Sequence, residues 1–295
     1  MKQQIGMVGI GLMGHGIASN IAKHGYPLTV LEHAGNQPLD ALKAAGARTQ
    51  ASAAALAAGA DVVILCVTGT PQVEAVLLGE GGVLQGLRPG TVVIDCSTAI
   101  PSSTERVAQA VLQAGGRFLD APMTRTPKEA AEGRLNLLVG GDAALFDECR
   151  PLLACFAENI THAGPIGAGH RMKLLHNYVS LGFVALLAEA AACAERAGVA
   201  PEVLVDVLAK GGGGGIALER LKPYLLAKDA SGLRFAMANA QKDLGYYTAM
   251  AGDSGAARAI AEGVHQTYAR AAREGDPQAL VPELVALLAK GGEAH

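Results

Sequence analysis

Charge is scarce in this chain: 17% of its 295 residues are Asp, Glu, Lys or Arg, and the formal balance is −3. So sparse and nearly neutral a set carries no general attraction for nucleic acid or an anionic membrane, and neither is expected as a partner. A run of about 20 apolar residues, the length of a membrane-spanning helix, is also missing. The longest apolar stretch, Tyr178 to Ala188, is broken by Ser180 and Gly182 and reads as a buried helix. Cysteine is sparse and odd in number, at positions 66, 96, 149, 155 and 193, with no Cys-x-x-Cys spacing. Neither a disulfide framework nor a metal site is therefore expected, only reduced and mostly buried thiols. Met1-Lys2-Gln3-Gln4 leads straight into a strand-like run, without the charged, apolar and cleavable segments of an export signal in series. A cytoplasmic location is the expectation.

What the chain has in quantity is apolar residue: 50% of the total, enough for a sizeable core and for two lobes. Up to about Gly164, short β-rich runs alternate with alanine-rich helical stretches, the pattern of a parallel sheet flanked by helices. The expected strands are 4–8, 28–32, 61–66, 91–95, 117–120 and 136–139. The third and fourth are almost purely apolar, as strands covered on both faces should be. Beyond Gly164 the β signal disappears. One helix is expected from Ala168 to Ala197, bounded by glycines at both ends, and helical pattern follows except at Gly211–Gly215, a loop or helix end.

The first strand runs into Gly9-Ile10-Gly11-Leu12-Met13-Gly14 and then a helical segment, Leu12 to Lys23. In that setting the first glycine permits a tight turn and the second admits a pyrophosphate to the backbone. The third lets helix pack on strand, while the helix N-terminus supplies N–H groups and partial positive charge. Glu32 closes the second strand, eighteen residues after Gly14. Its carboxylate can accept hydrogen bonds from an adenosine ribose and would repel a 2′-phosphate, which favours NAD over NADP. His33 beside it keeps NADP open.

The string from Gly9 to Asn20 resembles the signature of the β-hydroxyacid dehydrogenase family, which includes 3-hydroxyisobutyrate dehydrogenase and tartronate semialdehyde reductase; Ile10 stands where leucine is usual. Further segments match in order: Asp95-Cys96-Ser97-Thr98 before Pro101; Asp120-Ala121-Pro122 before Gly133 and Gly140-Gly141; Gly167-Ala168-Gly169 before Lys173; and Phe235 with Lys242-Asp243-Leu244. The resemblance covers essentially the whole chain. It implies an α/β Rossmann-type domain (1–164), then a long connecting helix that opens an all-α C-terminal substrate and oligomerisation domain (165–295), in a homodimer or homotetramer. It also implies that Val67, Thr68 and Thr98 lie along the cofactor and that Lys242 closes the site.

On a helix, Lys173, His176, Asn177 and Ser180 share one face. The segment from Gly167 to Asn177 resembles the family's catalytic segment, in which the lysine handles the substrate hydroxyl proton and Asn177 keeps substrate and lysine in register. His176 departs from the usual Asn-Asn pair and is similar to 6-phosphogluconate dehydrogenase, where a glutamate seven positions after the lysine serves decarboxylation. Ser180 stands there, so simple hydride transfer is expected. The substrate loop departs further. Where relatives read Val-Ser-Gly-Gly, this chain has Met123-Thr124-Arg125-Thr126, which resembles the Gly-Arg-Thr-Ser loop of sulfolactaldehyde reductases. A guanidinium flanked by two hydroxyls suits the anionic end of a small hydroxyacid or aldehyde. The alternative places Arg125 in solvent or on Glu129 or Glu132. An imine reductase and a non-enzymatic dinucleotide-binding module remain the rival readings, and the presence of Lys173 counts against both.

Overall fold

The computed structural model describes residues 2–290. Contacts divide the chain into two compact units, the first ending at Lys173 and the second beginning at Leu174.

The first unit is built on nine strands: β1 (Ile5–Val8), β2 (Leu28–Leu31), β3 (Arg48–Gln50), β4 (Val62–Leu65), β5 (Val92–Asp95), β6 (Arg117–Asp120), β7 (Met123–Thr124), β8 (Leu135–Gly141) and β9 (Ala157–Gly164). Their order is β3-β2-β1-β4-β5-β6-β8-β7, with β9 beside β8. β1 to β6 pair in parallel, whereas β8 runs antiparallel to β6 and β7. The order 3-2-1-4-5-6 is that of a dinucleotide-binding sheet, whose ligand lies beyond the carboxyl ends of the strands where the order reverses, here β1 and β4. β1, β4 and β5 are buried at every residue, so they read as continuous runs rather than alternating ones, with Asp95 at the end of β5 their one charged residue.

Helices cover both faces: α1 (Leu12–Lys23), α2 (Asp40–Ala44), α3 (Ala53–Ala58), α4 (Thr70–Leu78), α5 (Val83–Gly86), α6 (Pro101–Gln113), α7 (Pro127–Glu132) and α8 (Ala143–Leu153). One face packs Ile17 and Ile21 of α1 and Phe146 of α8 on Met7, Ile64 and Leu137. The other packs Leu56, Val73 and Val107 on Val63, Leu65 and Val93. The expected strands are all present, 117–120 with its ends unchanged and the others with no end moved by more than two residues. β3, β7 and β9 were not expected. β3 and β9 are polar and largely exposed, and β7 has two residues, so none carries an alternating apolar signal.

α9 (Ala168–Arg196) has 29 residues and belongs to both units. By length and composition alone it would cross a bilayer. Its residues Leu181, Val184, Leu187 and Ala188 are instead packed in the core of the second unit. That unit continues with α10 (Pro201–Lys210), α11 (Ile216–Ala227), α12 (Met237–Asp253), α13 (Ala259–Glu274) and α14 (Leu284–Lys290). The glycine run 211–215 joins α10 to α11, and Gly215 has a φ of 124°, open to glycine alone. Buried Tyr268 donates to the Leu181 carbonyl at 3.0 Å, which ties α13 to α9.

Candidate functional site

The three glycines after β1 divide their work as the motif requires. Gly9 has a φ of 91°, and a Cβ there would lie 2.3 Å from the Cys66 carbonyl oxygen. A Cβ on Gly14 would lie 1.9 Å from the Gly9 carbonyl oxygen, so only glycine lets α1 sit this close to the turn. A Cβ on Gly11 would meet nothing within 4 Å. Gly11 is also the N-cap of α1, with no side chain bonded to the helix end, so the N–H groups of the first turn border open space. N–H groups so arranged at a helix start can hold a phosphate group. Ile10 is buried, Met13 packs partly on the core and Leu12 is exposed beside the turn.

Glu32 directly follows β2, half exposed, with the Lys43 ammonium at 3.8 Å. It borders a pocket of about 490 Å³ lined also by His33, Asn36 and Leu39. The His33 ring accepts the Gly35 N–H at Nδ1, 3.0 Å. Asn36, not singled out from the sequence, joins this loop to the glycine turn: its Oδ1 accepts from Ile10 N at 3.3 Å and its Nδ2 donates to the Leu31 carbonyl at 2.9 Å. A lone loop asparagine carries no signal until the fold brings both backbones to it.

The loops after β4 and β5 are joined by Ser97. Its hydroxyl accepts from Val67 N at 3.0 Å, while its own N–H donates to Asp95 Oδ1 at 2.9 Å. The exposed Thr68 and partly buried Thr98 are the next residues of these two loops. Burial pushes the Asp95 carboxyl above its usual range, against the lowering effects of His170 and Ser97. Burial also pushes the Cys66 thiol up to about 12 and that of Cys149 to about 11, so neither is a ready thiolate. Cys193 is exposed, an exception to the expected burial.

The start of α9 is seated on the strand ends. Asp120, closing β6 and fully buried, accepts from Gly167 N at 2.7 Å through one oxygen and from His170 N at 2.8 Å through the other. A carboxylate from a distant strand thus satisfies the orphan N–H groups of the helix that carries Lys173. Lys173 itself is partly buried.

In the second unit Asn177 is buried and donates through Nδ2 to Asp243 Oδ2 at 2.7 Å, while its Oδ1 accepts from His176 Nδ1 at 3.0 Å. The Lys242 ammonium lies 2.9 Å from Asp243 Oδ1. Asp243, 3% exposed, is therefore the anchor of both Asn177 and Lys242. In the sequence alone Asp243 carries no signal of this role, because a carboxylate beside a lysine resembles a surface pair.

Arg125 sits between β7 and α7 with a φ of 81°, left-handed and uncommon for a residue other than glycine. Its Nη1 donates to Glu158 of β9 and to the Arg134 carbonyl. Glu129 and Glu132, the acids weighed as its partners, are both occupied. Glu129 takes the N–H of Thr126, at 3.0 Å, and its hydroxyl, which holds the Glu129 carboxyl below the usual range; Glu132 pairs with Arg134. Thr126 is thus the N-cap of α7. Thr124 accepts at Oγ1 from Asn136 Nδ2 at 3.1 Å.

A dinucleotide-binding sheet of order 3-2-1-4-5-6, an open glycine cradle on it and a helical second unit define the class of nicotinamide-dependent dehydrogenases. Two family models match the chain: the NAD-binding domain of 6-phosphogluconate dehydrogenase over residues 4–164, and the NAD-binding domain of NADP-dependent 3-hydroxyisobutyrate dehydrogenase over residues 167–288. The chain belongs to the β-hydroxyacid dehydrogenase family. It is 37% identical over 222 residues to a NAD-dependent L-serine dehydrogenase of Pseudomonas aeruginosa, covering 75% of this chain and 74% of the relative. It is 32% identical over 246 residues to the 2-(hydroxymethyl)glutarate dehydrogenase of Eubacterium barkeri, covering 82% and 80%. The solved structure of Mycobacterium tuberculosis 3-hydroxyisobutyrate dehydrogenase with L-serine superposes with a TM-score of 0.87 at 28% identity, covering 98% of this chain and 99% of that one.

Proposed function

We propose that this protein interconverts a small anionic β-hydroxyacid and its semialdehyde, with NAD as the favoured dinucleotide and Lys173 as general acid and base. The observation that carries the reading is the seating of Lys173 one turn into a helix whose first N–H groups are held by Asp120, the residue that opens the substrate loop. The dinucleotide supplies or accepts the hydride. In reduction the Lys173 ammonium protonates the developing alkoxide; in oxidation its free amine takes the hydroxyl proton. Asn177, one turn further along the same helix, holds the substrate oxygen in register with the lysine, oriented by Asp243 and flanked by His176.

The cofactor contacts of this reading are Gly9 to Gly14, Glu32, Val67, Thr68 and Thr98, with Lys242 as a further cofactor residue. Arg125, with Thr124 and Thr126 beside it, takes the substrate anion. Both protein bonds of the guanidinium leave from Nη1, which leaves the Nε–Nη2 edge for a bidentate carboxylate, sulfonate or phosphate. Relatives named for L-serine and 2-(hydroxymethyl)glutarate support a small hydroxyacid. Association of identical copies is part of the reading, supported by the exposed Val203, Val207 and Ile216 of the second unit.

The test is NADH oxidation against succinic, tartronic and methylmalonic semialdehydes and sulfolactaldehyde, and NAD reduction with L-serine, for wild type and Lys173→Ala. The variant should lose turnover by about 100-fold to 10,000-fold while still binding NADH by fluorescence. Turnover like that of wild type in Lys173→Ala would refute the assignment. Binding without turnover by the wild-type protein across the panel would favour a dinucleotide-binding module.

A further inference from the structure

Three residues before Lys173 stands a histidine to which the mechanism above gives no part. His170 is fully buried, between two equally buried carboxylates: Asp95 Oδ2 lies 4.0 Å from its Nε2 and Asp120 Oδ2 lies 3.8 Å from its Nδ1. Its ring is bonded at both ends. Nε2 lies 3.1 Å from the Ser97 carbonyl oxygen, which can only accept, so Nε2 carries the hydrogen. Nδ1 lies 2.8 Å from the Thr104 hydroxyl on α6. The backbone N–H of the same residue is bonded to Asp120.

These bonds reach three parts of the site at once. Ser97 joins the Val67 and Thr98 loops. Thr104 belongs to α6, to which the first turn of α9 is also tied by Arg171 on Glu105. Asp120 opens the loop that holds Arg125. The packing around the turn has no slack: a Cβ on Gly169 would lie 2.3 Å from the Leu138 carbonyl oxygen, and one on Gly140 would lie 2.8 Å from Gly169 N. A hydrophobic ring of the same size would leave the Ser97 carbonyl without its donor and would remove the direct bond from this helix to the loop after β5.

We infer that His170 is a positioning residue for hydride transfer: through Ser97 and Thr104 it fixes the first turn of α9, and so Lys173, against the loops that follow β4 and β5. This rests on the assignment of Lys173. A side chain at i+3 shares its face of the helix with residue i, so a shift of the turn moves the lysine with it. Reacting groups displaced by about 1 Å lose rate on the order of 100-fold.

The experiment compares His170→Leu, His170→Gln and wild type in NADH binding, kcat, KM, and the isotope effect with NADH carrying deuterium at the transferred position. Leucine has no donor or acceptor; glutamine has one of each and can address Ser97 and Thr104 together. In His170→Leu, kcat should fall on the order of 100-fold with NADH affinity within about twofold of wild type, and the isotope effect should rise as chemistry becomes limiting; His170→Gln should recover most of the rate. A merely structural role lowers the active fraction and leaves the isotope effect where it was. That result, or equal losses in the two variants, would overturn the proposal. Should His170→Leu fail to fold, Thr104→Val carries the test: a raised isotope effect supports the proposal and an unmoved one removes it. Turnover retained in Lys173→Ala withdraws the underlying reading itself, whatever the histidine variants do.

Discussion

Arg125 shows how one residue answers to two demands. Its left-handed φ costs a side chain roughly 1–2 kcal/mol relative to glycine, and its solvent-screened pair with Glu158 returns little of that. Arg125→Gly should therefore leave stability to urea within about 1 kcal/mol of wild type, while KM for the anionic substrate rises at least about tenfold, a loss of about 1.4 kcal/mol. Unchanged KM in that variant would show the arginine to be a surface pair with Glu158 and no more. Glu32 makes a second prediction at this scale. Its carboxylate beside the pocket should give kcat/KM with NADH at least about tenfold above that with NADPH, and Glu32→Ala should narrow the ratio. Equal efficiency of the two in wild type would end the case for NAD.

Among elements, the turn from β1 into α1 separates folding from binding. Gly14→Ala puts a methyl group against the Gly9 carbonyl oxygen and should cost about 1–3 kcal/mol. Gly11→Ala meets no atom within 4 Å, at a φ of −76° that alanine accepts. Its thermal midpoint should match wild type, while NADH affinity falls at least about tenfold because the methyl group occupies the approach of the pyrophosphate. A Gly11→Ala protein that binds NADH normally would place the dinucleotide elsewhere. α9 illustrates the opposite dependence. Its length follows from its own sequence between glycines, but two N–H groups at its start are held by Asp120, 47 and 50 positions away in the chain.

Taken as a whole, the molecule was legible where local chemistry decides. The buried strands β1, β4 and β5 must be uncharged up to Asp95 at the end of β5, the glycine turn must lack side chains, and a helix of 29 residues must keep its helical pattern unbroken; each requirement is written in consecutive residues. β9, polar and mostly exposed, carries no such requirement, and so the residue that engages Arg125 went unread with it. The same holds for the polar contacts of the site. Arg125 to Glu158, Asn177 to Asp243 and His170 to Ser97 span 33, 66 and 73 positions, and each residue alone has other acceptable partners. By itself the sequence determined the glycine turn before α1, the alternation of strand and helix, and the place of Lys173 on a long helix, because backbone conformation and apolar burial act over a few neighbouring residues. Only the tertiary structure decided which acid holds Arg125, which carboxylate caps α9 and what His170 binds, because a buried polar group takes the partner that the fold brings within hydrogen-bond reach.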